Sequence, residues 1–443
     1  MVPVGIDETD VLVVGGGTAG SVAAIAAARN GAETLVVEQF GFLGGSASAA
    51  LVTPMMPNHV DGKPLCAGIS EEIQERLAAE GEAVLQGGTW WFNPEALKYV
   101  LEEMVLEAGA RILYHACFSE PVLDGPRIAG AFFESVSKRI GISGKVVVDC
   151  TGDAAVAYRA GAPCVSGRAK DGANQAMSLR FLVGNVDLRR LAQFLNSLDP
   201  SAGASPPLIH VAMAWNRGDK LQLVFEEAVR DGVLRREDGE YFQAFSVPGR
   251  PNEMAFNCPR IHGNMRPTDA LHLTQAQIEG KRAISRLLKF LRRYVPGFEE
   301  SYLVATAPLL GIREGRRIVG EYVLTAEDCA SARKFDDAVA RNRYPVDIHL
   351  PGEKIGEPLP PGEYHEIPYR CLLPKGVENL LVAGRCISAT FEAQSAIRVQ
   401  PPVRMVGEAA GTAAALCAKL GTTPRKLSGT LLRSVLRENG AFL

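Results

Sequence analysis

Apolar runs and glycine breaks alternate at the start of the chain. Asp10 to Val14 is a short apolar run, Gly15 to Gly20 a glycine cluster, and Ser21 to Asn30 an alanine-rich stretch closed by Gly31. Glu33 to Glu38 then reads as a second strand. A strand, tight turn, helix and parallel strand within about 30 residues make a βαβ unit, which opens a doubly wound sheet. Further on, Pro94 to Ala108 predicts a helix ending at Gly109, and Arg111 to His115 a strand. Val146 to Cys150 is another apolar strand, bounded by Thr151-Gly152-Asp153. From Ala154 to about Pro308 the pattern loosens into amphipathic helices and proline-rich breaks such as Pro206-Pro207 and Pro248-Gly249-Arg250-Pro251. It sharpens again at Leu380-Leu381-Val382-Ala383, which runs into Gly384 and is followed by a helix from about Pro402 to Leu420. The longest loop candidate is Leu350 to Pro361, and there is no internal repeat.

Composition narrows the function classes. The 443 residues are 47% hydrophobic and 22% charged, as in a globular chain large enough for two or three units and a buried cofactor. A formal net charge of −3 gives no basic field to attract nucleic acid or an anionic membrane, so neither is an expected partner. Met1 to Asp10 lacks the basic and apolar regions of a secretory signal, so the expected address is cytoplasmic. Apolar stretches such as Val22 to Ala28 stop at Arg29 and Asn30, short of the roughly 18 residues of a membrane span. The nine cysteines stand singly at 66, 117, 150, 164, 258, 329, 371, 386 and 417. That spacing predicts neither a metal site nor a redox disulfide, but small buried hydrophobes.

The glycine cluster carries the strongest chemistry. In Gly15-Gly16-Gly17-Thr18-Ala19-Gly20 the glycines at 15, 17 and 20 fit GxGxxG. The first allows the sharp turn, the second lets backbone approach a pyrophosphate, and the third lets helix pack on strand. The helix start offers unpaired N–H groups and a positive dipole end to phosphate. Glu38, at the end of the second strand and followed by Gln39, is placed to accept hydrogen bonds from both ribose hydroxyls. Three further glycine turns favour the longer FAD over NAD. They are Gly41-Phe42-Leu43-Gly44-Gly45-Ser46, the Thr151-Gly152-Asp153 turn, and Leu381-Val382-Ala383-Gly384-Arg385. The expected fold class is therefore α/β. A Rossmann-like FAD-binding domain, a parallel sheet with helices, spans 1–153, with possible substrate-domain strands around 50–145. An inserted α+β substrate domain covers 154–308, and 309–443 return to the FAD-binding domain.

These residues resemble the FAD-dependent oxidoreductases of the glutathione-reductase-like flavin fold, among them the succinate dehydrogenase and fumarate reductase flavoproteins. The likeness to a bacterial FAD-dependent oxidoreductase family rests on Gly44-Gly45-Ser46-Ala47-Ser48, on Gly311 to Tyr322, and on Ile367 to Pro374 leading into Ala383-Gly384-Arg385. The resemblance implies that the last long helix, entered at Val399-Gln400-Pro401-Pro402 and containing Gly407, aims its N-terminus at the flavin pyrimidine and stabilises negative charge there. It also places Arg398 where fumarate reductase relatives hold a substrate carboxylate. Ile397 and Pro402 stand where those enzymes have asparagines, so their dicarboxylate substrate is not carried over.

Oxidation of an alcohol or amine by a flavin needs a base, and histidine is the natural one. His59, His262 and His365 are the candidates, each weighed against an ordinary loop or core histidine. Arg313, Arg316 and Arg317 either bind an anion or form a basic stripe paired with Glu314 and Glu321, and Trp90-Trp91-Phe92 is either a pocket wall or plain core. The chain lacks a second GxGxxG and paired cysteines, so reduction of the flavin is expected from the substrate itself. The expected function is a dehydrogenase or oxidase taking hydride from a small organic molecule and passing electrons to an acceptor the sequence does not identify. The alternatives are a flavin reductase or monooxygenase fed by an external reductant, and a non-catalytic redox-sensing flavoprotein. Covalent flavin attachment and homo-oligomerisation stay open.

Overall fold

The computed structural model describes residues 7–261, 263, 265–350 and 356–443. Its main sheet begins with β1 (Asp7–Val14), β2 (Thr34–Val37) and β3 (Arg111–Leu113), and continues through β4 (Cys117–Asp124), β5 (Arg127–Glu134) and β6 (Arg139–Asp149). A second sheet holds β7 (Phe181–Gly184), β8 (His210–Ala214), β9 (Tyr241–Ser246), β10 (Met254–Phe256) and β11 (Tyr302–Thr306), and β12 (Leu380–Val382) returns to the first. The helices that matter below are α1 (Gly20–Arg29), α2 (Pro94–Glu107), α3 (Ala270–Tyr294), α4 (Phe391–Ile397) and α5 (Gln400–Leu420).

The first sheet runs β3-β2-β1-β6-β5-β4, with β12 on the far half of β6. Strands β3, β2, β1, β6 and β12 are parallel, while β4 and β5 form an antiparallel hairpin. The fold is α/β with a Rossmann-like sheet. Val11 to Val14 and Val146 to Val148 are buried on both faces, which explains why these strands read as continuous apolar runs rather than alternations. All the parallel strands end at one edge, where Gly15, Glu38, Cys150 and Ala383 follow, and α/β proteins bind ligands outside that edge.

The βαβ unit, the helix from Pro94 and the strands at 111, 146 and 380 stand where the pattern put them. Asn93 caps α2 by accepting from Glu95 N, with Pro94 at the first helical position. Helix α5 crosses α1 on small residues. A Cβ added at Gly407 would overlap the Ala19 carbonyl, and one at Gly411 the Ala23 carbonyl, so the two backbones meet where glycine permits it.

The second sheet is antiparallel throughout, in the order β8-β9-β10-β7-β11, and packs on α3 through Phe181, Phe256, Leu287, Phe290 and Leu291. Phe181 and Phe256 stack at 4.5 Å between ring centroids. Leu51 and Trp91, from the earlier stretch of chain, belong to the same core. Trp91 lies 5.1 Å from the Phe245 ring, which makes it a packing residue. Of the cysteines, Cys117 is exposed, Cys164 half-buried and the remainder buried. Among the described residues no helix is long and apolar enough to cross a membrane. The loop candidate at 350–361 lies partly outside the described residues; 356–360 carry no regular structure.

Candidate active site

The glycine turn shows which of its residues the protein itself requires. Gly15 has φ +96°, and an added Cβ would sit 2.8 Å from Cys150 O; one at Gly20 would overlap the Gly15 carbonyl. Gly17 is different, because its added Cβ would meet Gly45 Cα at an ordinary 3.7 Å. Protein packing therefore does not demand glycine at 17, whereas close approach of a diphosphate does. Helix α1 begins with no side-chain cap at Ala19, which is only 4% exposed, and in its first turn Ser21 N donates to Gly17 O at 3.0 Å. These observations fit a phosphate-bearing cofactor.

Glu38 is buried behind the same turn. Gly16 N donates to its Oε2 at 2.7 Å and Phe40 N to its Oε1 at 3.0 Å, which fixes the carboxylate, and burial raises its pKa. Gln39 is exposed beside it. Gly44 N donates to Gly16 O at 2.9 Å and Thr18 Oγ1 donates to Gly44 O at 3.0 Å, so the Gly44-Gly45-Ser46 loop lies directly on the first turn. On the other side, Thr151 N and Oγ1 both donate to Asp149 Oδ1, and Ala157 N donates to Asp149 Oδ2. Asp149 is fully buried, so it organises the Thr151-Gly152-Asp153 turn from below. Arg385 pairs with Asp153 at 3.0 Å and covers Gly152, while Gly384 sits at φ +119° over Ala19. Asp153 Oδ1 and Arg385 Nε are buried without a hydrogen-bond partner, which leaves polar capacity for a ligand. Pro402 is buried in the first turn of α5, whose N-terminus also lacks a side-chain cap; Gly407 lies one turn deeper, against Ala19.

A second constellation adjoins α4. Gln394, fully buried on that helix, donates from Nε2 to Arg313 O at 3.0 Å and Arg385 O at 3.3 Å, tying it to the Gly384-Arg385 turn. Its neighbour Ser395 accepts from Asp347 N at 3.0 Å. Asp347 Oδ2 in turn receives Tyr344 OH at 3.1 Å, Arg398 Nη2 at 3.3 Å and His349 Nε2 at 2.9 Å. The other ring nitrogen, Nδ1, is 2.5 Å from Arg260 Nη2. Arginine can only donate, so Nδ1 accepts, the ring is neutral, and Nε2 carries the proton shared with Asp347. Desolvation, reinforced by Arg313, pushes the His349 pKa down to about 3. Burial by itself would raise the Asp347 carboxyl, but the His349 hydrogen bond and the charges of Arg398 and Arg313 outweigh it and hold it well below the usual range.

Arg398 is thus in this cluster. His59 is not: it is half-buried in the two-residue strand His59–Val60, beside Gly88. His262 lies outside the described residues. His365 is 1% exposed and its Nε2 meets Asn342 Nδ2 at 3.0 Å, the setting of a core histidine. The three arginines of the 313–317 segment separate. Arg317 forms a buried pair with Glu314, Arg316 lies over the Tyr158 ring and donates to Asp153 O, and Arg313 alone faces the cluster. His349, Asp347 and Tyr344 escaped the sequence reading; the only local signal was an Asp-x-His spacing ahead of the loop at 350. An open cavity of about 500 Å³ lined by Asp337, Arg370 and Arg425 includes none of these residues, and its arginines are paired with Asp337, Glu321 and Glu378.

A parallel sheet with a glycine turn before its first helix, a buried carboxylate behind that turn and three further glycine turns at the same edge fits an oxidoreductase of the flavin-binding class. The chain belongs to the FAD dependent oxidoreductase family, whose model matches residues 10–436, and its cofactor is FAD. It is similar to the thiamine thiazole synthase of Aeropyrum pernix, with 29% identity over 163 residues, 34% of this chain and 57% of that protein. The corresponding enzyme of Methanococcus vannielii is 32% identical over 161 residues, 34% of this chain and 58% of that protein. The matches thus span little more than half the length of these curated relatives. Among solved structures, a geranylgeranyl bacteriochlorophyll reductase-like protein from Thermoplasma acidophilum is 13% identical, with a TM-score of 0.46 over 99% of this chain and 85% of that one. A flavin-dependent brominase is 12% identical, with a TM-score of 0.48 over 97% and 83%.

Proposed function

We propose that this oxidoreductase is a dehydrogenase or oxidase that removes a hydride and a proton from a small organic molecule, with His349 as the proton acceptor. In this reading the diphosphate of FAD lies on the Gly15–Gly20 turn with Thr18 and Ala19, and its ribose on Glu38 beside Gln39. The rest of the cofactor runs between Gly44-Gly45-Ser46, Thr151-Gly152-Asp153 and Gly384-Arg385 to the α5 start at Pro402, with Gly407 closing the helix crossing beneath. When bound, FAD supplies a ring that accepts the electron pair as hydride. The residues of the chain do the remainder. Asp347 fixes the ring of His349 and its tautomer, as the carboxylate of a catalytic dyad does. The lone pair on Nδ1 is held by Arg260 until a substrate hydroxyl replaces that donor, and Nδ1 then takes the hydroxyl proton. Arg398 and Tyr344 keep Asp347 ionised, so the imidazolium that forms is neutralised where it stands. The unit built on the second sheet contributes Arg260 and closes this side from water.

The observation that carries the proposal is the pairing of half-buried His349 with buried Asp347, one short helix from the uncapped start of α5. Anaerobic titration of the FAD-loaded protein with a metabolite panel, watching the flavin absorption band, tests it. A substrate should bleach the band without any nicotinamide. His349→Gln should retain FAD and bleach roughly a hundredfold to ten-thousandfold more slowly, the usual contribution of a positioned base. Bleaching by NADH or NADPH alone would instead favour a reductase or monooxygenase.

A further inference from the structure

The Asp347–His349 pair is embedded in buried positive charge. Arg180 and Arg313 are 7% and 8% exposed, and Arg260 and Arg398 already touch His349 and Asp347. Their placement is structural: Arg313 Nη1 donates to Ala176 O at 2.6 Å and Ser178 Oγ at 2.9 Å, and Ser178 is the ladder partner of Arg260. Gln175, one residue before Ala176, accepts from His349 N at 3.2 Å. Arg180 Nη1 donates to Leu51 O at 3.4 Å. Asp347 accepts from Arg398 and lies in the field of Arg313 and Arg260; exposed Glu240 and Arg217 act on Arg260 with opposite sign. With His349 neutral, the described residues of the cluster set four arginines, Arg180, Arg260, Arg313 and Arg398, against the carboxylate of Asp347, a costly arrangement unless an anion completes it. Repulsion is visible in Arg313, whose pKa burial and then Arg260, Arg398 and Arg180 depress. Arg260 Nε, Arg398 Nε and Gln175 Nε2 are buried without a hydrogen-bond partner.

The spacing limits the shape of that anion. Arg260 and the accepting nitrogen of His349 are in direct contact, so a ligand that pairs with one and gives a proton to the other must carry its anionic group and its proton donor on adjacent carbons. A 2-hydroxy carboxylate does. A 2-amino carboxylate would arrive as an ammonium ion, which the excess positive charge repels. We propose that the arginine cluster binds a 2-hydroxy carboxylate, its carboxylate on Arg260 with Arg313, Arg180 and Arg398 around it, and its hydroxyl on His349 Nδ1. This rests on the oxidation proposed above. The C–H bond at carbon 2 breaks and its hydrogen leaves with the electron pair, as hydride, to FAD; the O–H proton passes to Nδ1, the C–O single bond becomes C=O, and a 2-oxo carboxylate leaves.

The test uses the FAD-loaded full chain and two readouts. The first is binding of oxalate, a non-reacting carboxylate pair, followed by the rise in Tm and the shift of the oxidised flavin band. Lactamide and inorganic phosphate serve as controls. The second is anaerobic bleaching by lactate and 2-hydroxyglutarate against alanine and 2-propanol. Oxalate should bind the wild-type protein and bind Arg260→Gln and Arg313→Gln at least about tenfold more weakly, with FAD retained in both, and only the hydroxy acids should bleach the band. Oxalate without effect, lactamide or phosphate binding as tightly, or bleaching by alanine or 2-propanol instead would overturn the substrate assignment while leaving the oxidation standing. Bleaching by no compound at all would remove the oxidation and the substrate together. A variant that loses FAD is set aside in favour of Arg260→Lys, which keeps the charge but not the paired donors and should still weaken oxalate.

Discussion

Under the proposed placement of FAD, Gly17 separates the demands of the fold from those of the cofactor. Its hydrogen can be replaced by a methyl group at ordinary contact distance, 3.7 Å from Gly45 Cα, while the same change at Gly20 drives a Cβ into the Gly15 carbonyl. Gly17→Ala should therefore leave the Tm of the FAD-free protein nearly unchanged and lower FAD retention, measured by absorbance after gel filtration; Gly20→Ala should lower the Tm itself. Equal loss of Tm in both would mean that the turn serves packing alone. His349 makes a prediction of a different kind. Its pKa is depressed from 6.5 to about 3, so the neutral, proton-accepting form persists as pH falls. The kcat/KM profile, which reports the free enzyme, should show no acid limb near 6.5. A limb there would assign the base to another group. At this scale the sequence could be read for the glycines and Glu38, because their chemistry is local. It could not be read for His349, whose partners Arg260 and Gln175 come from two distant segments.

Helix α5 is the element on which both halves of the site depend. Gly411→Ala places a Cβ on the Ala23 carbonyl, and overpacking there should cost about 1–3 kcal/mol, more than the gain in helix propensity returns. Chemical denaturation gives the value, and an unchanged midpoint would show that the helices part without strain. Glu408, a turn before Gly411, is 4% exposed, and burial pushes its carboxyl up to about 7 from 4.5. The folded state thus holds a proton that the unfolded state has lost, so stability falls as pH rises from 4.5 to about 7 and is level above. The penalty at neutral pH is roughly 3 kcal/mol. Glu408→Gln should abolish that slope and raise the Tm at pH 7 or above; a slope that survives belongs to another carboxyl. The helices and parallel strands were legible because each carries its own punctuation, such as Asn93-Pro94 before α2 and Gly31 after α1. The second sheet was not, since β7 is buried at every position and shows no alternation, and it pairs with β10 and β11, which lie far along the chain.

At the scale of the molecule, the two cores meet where the cofactor edge of the first sheet faces the arginine cluster. Gln394 spans that boundary by bonding to Arg313 O and Arg385 O together. Gln394→Ala should retain FAD yet slow flavin reduction, because it loosens the seat of Arg313 without touching the glycine turn; stopped-flow bleaching measures the rate, and an unchanged rate would show that the boundary is held otherwise. No window of the sequence spans this junction, which is why the glycine turns could be read from the sequence and the cluster of Arg260, Asp347 and His349 could not. The most direct test is a crystal structure of the FAD-loaded protein with oxalate. The expected result is a diphosphate on the Gly15–Gly20 turn, the flavin ring at the α5 start, and oxalate between Arg260 and His349 against that ring. A ring seated away from Asp347 and His349, or oxalate bound elsewhere, would contradict the assignment.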